Sequence, residues 1–280
     1  MLRSAACALG VCLFACLPFC HAQECSSDLA YHSSLCDAEL RARTGDSEAQ
    51  YRLGLAFDQG LGTDRNCRKA AGWYTQAAHH AHAAAQNNLG ALYAKGCGVS
   101  QSDTEAAKWY MRSASGGFAT AQNNLGYAYE TGRGVKQSDE AAVHWYREAA
   151  AQKFAPALAN LAAHYMSGRG VERNEAEAAR LERLAAEQHL SASEAAVGQM
   201  YLIGWQVEKS PETAAWWFRR AADDGNAAAA NALGQLHEQG TGVPQDRTEA
   251  ERWYKKAADA GLAAAQLNLT RLHESAYAGR

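Results

Sequence analysis

Proline is nearly missing from this chain: Pro18, Pro156, Pro211 and Pro244 are the only four in 280 residues. Few backbone donors are therefore lost, and long stretches are free to run as helix. An excess of one charge is missing too, since 27 Lys and Arg face 30 Asp and Glu, for a formal net charge of −3. That balance supplies no basic field for a phosphate backbone, which excludes nucleic acid as the expected partner. After the first 22 residues no apolar run approaches the roughly 20 residues that span a bilayer, so no membrane span is expected once that segment is removed. Catalytic signatures are absent as well. There is no Ser-x-x-Lys and no Cys-x-x-Cys, and His237-Glu238 and His273-Glu274 lack the second His of a zinc-protease motif. The Gly-x-Gly pairs lack the third Gly or the Gly-Lys-Ser/Thr of a phosphate loop. His79, His80 and His82 are the one metal-like grouping, but no Cys or carboxylate adjoins them in sequence. They read as cations complementing a helix C-terminus. No catalytic residue, metal or cofactor is expected.

What is present is alanine, more than a fifth of the chain. Alanine is the best helix former and lets backbones approach closely. The chain opens with Arg3, then an uncharged run from Ala5 to Phe19, then Cys20-His21-Ala22, with small residues at the −3 and −1 positions of a cleavage site. Residues 1–22 read as an export signal cleaved after Ala22. Leu13-Phe14-Ala15-Cys16 is a poor lipobox, because Phe14 fits badly and apolar residues continue past Cys16. A periplasmic or secreted destination is expected, without a lipid anchor. The mature chain keeps Cys25, Cys36, Cys67 and Cys97, an even number suited to an oxidising compartment, with three possible pairings.

The remaining sequence repeats every 36 residues. One column reads Leu53, Leu89, Leu125, Leu161, Val197, Leu233 and Leu269, and the next Gly54, Gly90, Gly126, Ala162, Gly198, Gly234 and Thr270. Phe57, Tyr93, Tyr129, Tyr165 and Tyr201 follow four after the first of these, on the same helical face. Gly60-x-Gly62, Gly96-x-Gly98, Gly132-x-Gly134, Gly168-x-Gly170 and Gly240-x-Gly242 then end the helix. A second helix carries Trp73-Tyr74, Trp109-Tyr110, Trp145-Tyr146, Trp217-Phe218 and Trp253-Tyr254. One such helix pair cannot cover its own apolar face, so the pairs must stack.

The pattern A-x(3)-L-G-x(2)-Y-x(2)-G-x-G-V, then A-x(2)-W-Y-x(2)-A-A, resembles the Sel-one-like repeat (SLR) family, relatives of tetratricopeptide repeats. The resemblance implies an all-α fold: a right-handed α/α solenoid of helix-turn-helix units, whose members serve as adaptors in protein assembly. Some cysteine-rich secreted members are linked to β-lactam binding, for which the missing Ser-x-x-Lys is a contrary sign. The expected organisation is a capping segment over 23–48, six repeats over 49–264, and a closing helix and tail over 265–280. Stacked inter-helix loops lie along one edge, so the expected disulfides are Cys67–Cys97 and Cys25–Cys36.

Asn88, Asn124, Asn160 and Asn268 share a column and read as a structural hydrogen-bonding device between repeats. By analogy with tetratricopeptide repeats, Asn87, Asn123 and Asn231 would face a concave groove, with Tyr127, Glu130, Gln199, Gln235 and Glu238 in neighbouring groove columns. Together they would make a polar, mildly acidic trough for another protein or an extended peptide. The expected function is a non-enzymatic interaction scaffold, with an envelope enzyme, a small-molecule or cell-wall-fragment binder, or a host-directed secreted factor as alternatives. Repeat 5 breaks pattern. Trp205 lies in its loop, Gln206 replaces the second loop Gly, so that another loop shape is expected, and Trp216 stands in a column of charged residues. Trp205 and Trp216 read either as a binding patch or, for Trp216, as filling beside the Leu181-Glu182 that replaces Trp-Tyr.

Overall fold

The computed structural model describes residues 37–278, with side chains described through residue 274. Residues 1–36 lie outside, and with them the expected export signal and the expected Cys25–Cys36 disulfide. Helix α1, described over residues 37–43, leads into twelve helices of 13 residues each and a longer last one. The first helices of the six repeats are α2 (Ser47–Gln59), α4 (Ala83–Lys95), α6 (Ala119–Thr131), α8 (Ala155–Ser167), α10 (Ser191–Ile203) and α12 (Ala227–Gln239). Their partners are α3 (Cys67–His79), α5 (Asp103–Ser115), α7 (Asp139–Ala151), α9 (Glu175–Glu187), α11 (Pro211–Asp223) and α13 (Arg247–Asp259). Helix α14 (Ala263–Ala278) closes the array. No strand occurs among the described residues. Each helix packs on its immediate neighbours in sequence, which makes an α/α solenoid.

Local chemistry explains the uniform lengths. Every second helix starts at a capping side chain: Asn66, Ser102, Ser138, Asn174, Ser210 or Asp246 accepts from backbone N–H groups of the first turn. Every first helix stops at a glycine with φ between 69° and 77°, such as Gly60 and Gly240. Three first helices have no side-chain cap, because Phe118, Phe154 and Leu190 stand there and pack into the core instead.

The small column ahead of each loop is a seat for an aromatic ring. A Cβ on Gly90 would fall 2.8 Å from the Tyr110 ring, and one on Gly126 2.7 Å from Tyr146. Where Glu182 replaces the ring, Ala162 replaces the glycine. Adjacent units are also tied across the turn between repeats. The Gln86 Nε2 donates to the Ala78 carbonyl at 3.1 Å, and Gln50 and Gln122 do the same to Ala42 and Ala114. In repeat 5 this column holds Glu194, which cannot donate; it is fully buried and meets Arg220 at 2.7 Å. Through Ala42 and Ala38, α1 covers the open end of repeat 1.

One slot between repeats is bridged by three kinds of tie over four successive steps. It joins the first residue of a second helix to the middle loop residue 30 positions on. Cys67 and Cys97 form a disulfide there, with Cα atoms 5.4 Å apart. One step later Arg133 Nη2 donates to Asp103 at 2.9 Å, then Arg169 Nη2 to Asp139 at 3.0 Å. Next, the Trp205 indole donates to Glu175 at 3.2 Å. The loop of repeat 5 also departs from the expectation of another shape: Gln206 has φ 56°, in the left-handed region used by Gly98, Gly134, Gly170 and Gly242. The turn is kept, at the cost of placing a side chain where glycine is favoured.

Candidate interaction face

The groove candidates all lie on first helices, and the structure divides them. Asn87, Asn123 and Asn231 accept hydrogen bonds from the following repeat: Asn124, Asn160 and Asn268 donate Nδ2 to them, each at 2.9 Å. These pairs join neighbouring first helices, and Asn87 is buried. Glu130 accepts from the Tyr146 hydroxyl at 2.8 Å and from Arg169 at 2.8 Å. Glu238 accepts from the Tyr254 hydroxyl at 2.7 Å and from both Nη atoms of Arg271, at 2.8 and 2.7 Å. Arg271 first, then Tyr254, holds the Glu238 carboxyl below the usual range, while burial raises the Tyr146 and Tyr254 hydroxyls. The carboxylates of Glu130 and Glu238 on this face are thus each paired with an arginine.

Tyr127, Gln199 and Gln235 remain exposed. They belong to one column, which reads Leu55, Ala91, Tyr127, Ala163, Gln199, Gln235 and Arg271, so the first helices of repeats 3, 5 and 6 present them in register. Met166 on α8 and Ile203 on α10, 38% and 59% exposed, lie on the two first helices between those of Tyr127 and Gln235. A tyrosine and two amides flanking apolar side chains can take a polypeptide through hydrogen bonds and apolar contact, without chemistry.

The slot that holds Glu130 and Glu238 is empty of acid in repeat 2, where Ala94 replaces the carboxylate. A cavity of about 140 Å³ opens there, lined by Tyr110, Asn124, Tyr127, Asp103 and Arg133. Burial pushes the Tyr110 hydroxyl up to about 12. Sequence reasoning missed this site. Its signal was the column Asp58, Ala94, Glu130, Glu238 set against Tyr74, Tyr110, Tyr146, Tyr254, a pairing 16 residues apart.

The tryptophans separate. Trp205 is half-buried against Met200 and Val197 and bonded to Glu175, so it ties repeats 4 and 5. Trp216 is 52% exposed, edge-on to Trp217 with ring centroids 4.7 Å apart, and the Arg220 guanidinium lies over both rings. It fills no core gap. Trp216→Ala is expected to lose about 1 kcal/mol, the scale of one aromatic pair and one cation–π contact. A thermal melt checks this, and a loss of about 3–5 kcal/mol would return the residue to the core. The histidines part as well: His82 caps α4 and reaches Glu48 at 3.1 Å, while His79 stands edge-on to Trp109. Among the described residues, no group of three or more His, Cys, Asp or Glu is placed to hold a metal ion, and no helix is long and apolar enough to cross a membrane.

Six consecutive segments match the model of the Sel1 repeat: 47–82, 83–118, 119–154, 155–190, 191–226 and 227–262. The chain therefore belongs to the Sel1 repeat family, and the matched units begin two residues ahead of the six repeats expected over 49–264. A protective antigen of uropathogenic Escherichia coli with an SLR fold is 32% identical, with a TM-score of 0.77 over 87% of this chain. This chain spans 52% of that antigen's length. A Sel1 repeat protein from Oxalobacter formigenes is 31% identical, with a TM-score of 0.74, covering 78% of this chain and 89% of its own. A sel1-like repeat-containing protein of Acanthamoeba polyphaga mimivirus is 45% identical over 42 residues, 15% of this chain and 7% of the viral protein. Sel1 repeats commonly form scaffolds for protein–protein interaction.

Proposed function

We propose that this chain is an exported, non-enzymatic scaffold that holds an extended segment of another protein along its first-helix face, the concave side expected of such a solenoid. The exposed column of Tyr127, Gln199 and Gln235, in register across repeats 3, 5 and 6, carries the reading. Aromatic anchors beside adaptable amides are the usual makings of a peptide-binding surface. The Cys67–Cys97 disulfide fits an oxidising compartment outside the cytoplasm.

The test is partner capture from the envelope fraction with two triple variants. Tyr127→Ala, Gln199→Ala and Gln235→Ala together are expected to weaken capture at least tenfold, since each alters the proposed contact surface. Lys108→Ala, His144→Ala and Arg252→Ala alter exposed second-helix positions and are expected to leave it unchanged. The opposite pattern would reject the proposed face.

A further inference from the structure

Repeat 3 shows how this fold holds a carboxylate. The Glu130 carboxylate accepts from the Tyr146 hydroxyl on one side and from Arg169 Nη2 on the other, both at 2.8 Å, while the same Nη2 also donates to Asp139 at 3.0 Å. Repeat 6 reaches the same result with another arginine, as Glu238 sits between Tyr254 and Arg271. Move back one repeat from Glu130 and every holding group is still present. Tyr110 stands for Tyr146, Arg133 for Arg169, and Asp103 for Asp139, with Arg133 Nη2 bonded to Asp103 at 2.9 Å. Only the held group is gone, because Ala94 occupies the Glu130 position, and the cavity of about 140 Å³ lies where the carboxylate would be.

We infer that this cavity is a receptor for a carboxylate carried by the bound polypeptide, either an Asp or Glu side chain or a C-terminus. The Tyr110 hydroxyl and the Arg133 guanidinium are its donors. Tyr127, at the place from which Arg271 serves Glu238, stands at the same cavity beside Arg133. Charge fits as well: Asp103 already neutralises Arg133, but Arg169 shows that one guanidinium can hold two carboxylates here. One difference from repeat 3 is that His164, 3.7 Å from Glu130, is matched by Ala128, which leaves the receptor roomier. A site that is part-buried and lined by preset donors favours a charged acceptor over a neutral amide. The inference deepens the groove reading and rests on it for the occupant being a polypeptide.

The experiment uses the full mature chain and three short probes: Ac-Ala-Ala-Glu-Ala-Ala-NH2, Ac-Ala5-OH and Ac-Ala5-NH2. Tyrosine ring and arginine Nε–Hε signals are followed by NMR, with Tyr110→Phe and Arg133→Gln supplying assignments. One or both carboxylate peptides are expected to shift the Tyr110 and Arg133 signals, and the one that binds more tightly names the source. The neutral peptide is expected to shift neither. Ala94→Glu would fill the receptor from within, as Glu130 does in repeat 3. It is expected to raise the melting temperature and weaken carboxylate-peptide binding at least tenfold. Equal shifts from the neutral peptide, shifts from inorganic phosphate alone, no response to any probe, or binding that survives Ala94→Glu would each overturn the receptor. Partner capture that depends on Gln199 and Gln235 while these outcomes fail would retain the groove and remove only the receptor.

Discussion

Replacing Cys67 and Cys97 by serine is expected to lower the unfolding free energy by about 3–4 kcal/mol, the chain-entropy value for a cross-link spanning 30 residues. The following repeats show which substitute should recover part of that loss. Asp103 with Arg133, and Asp139 with Arg169, occupy the same slot, so Cys67→Asp with Cys97→Arg installs a tie the fold already uses. An exposed ion pair contributes about 0–1 kcal/mol, and an aspartate in the first turn of α3 adds roughly 0.3–1 kcal/mol through the helix dipole. Recovery of about 0.3–2 kcal/mol is therefore expected, and it should shrink at high salt. Cys67→Ser with Cys97→Arg should recover little, because the arginine then lacks its acid. Urea unfolding of the four proteins checks all of these values. Equal stability of the Asp–Arg variant and the double-serine variant would deny that the slot is equivalent from repeat to repeat.

Excision of residues 119–154 is expected to leave a soluble, cooperatively unfolding helical protein. The cut removes one whole unit, α6 with α7, and joins Phe118 to Ala155. The new junction rebuilds what the old ones contained: Asn160 comes to face Asn87, Arg169 faces Asp103, and a second helix is again followed by a first. The loss should be about 2–5 kcal/mol, from the roughly 0.05–0.15 kcal/mol that each residue of a domain contributes. Excision of residues 119–136 alone places α5 beside α7, two second helices with no ring seat between them. That protein is expected to aggregate. Circular dichroism and denaturant unfolding distinguish the two, and a soluble 18-residue excision beside an insoluble 36-residue one would refute the unit.

The solenoid was legible because its period recurs in every column that must be buried. Leu89, Leu125 and Leu233 are interior, and the glycines at 60, 96, 132, 168 and 240 end the helices they were expected to end. The Gly90 and Gly126 column was read only as permitting close approach. That it seats Tyr110 and Tyr146 depends on two columns 20 residues apart, and its internal proof, Ala162 together with Glu182, is a paired exception. The ties between repeats were hidden for a similar reason. Cys67 with Cys97, Asp103 with Arg133 and Glu175 with Trp205 share a spacing of 30, but no residue type, so a column-by-column reading sees only variation. Trp205 consequently looked like an exposed aromatic in a loop, whereas its indole is committed to Glu175. Asn87, Asn123 and Asn231 looked available because the partner that engages each one lies 37 residues later.

Site-specific photo-crosslinking tests the central claim most directly. A benzophenone amino acid is placed at position 199, on the first-helix face, and in a second protein at position 144, on an exposed second-helix site, before exposure to the captured partner. The first-helix reading predicts a covalent adduct from position 199 and none from position 144. An adduct from position 144 with none from position 199 would contradict it.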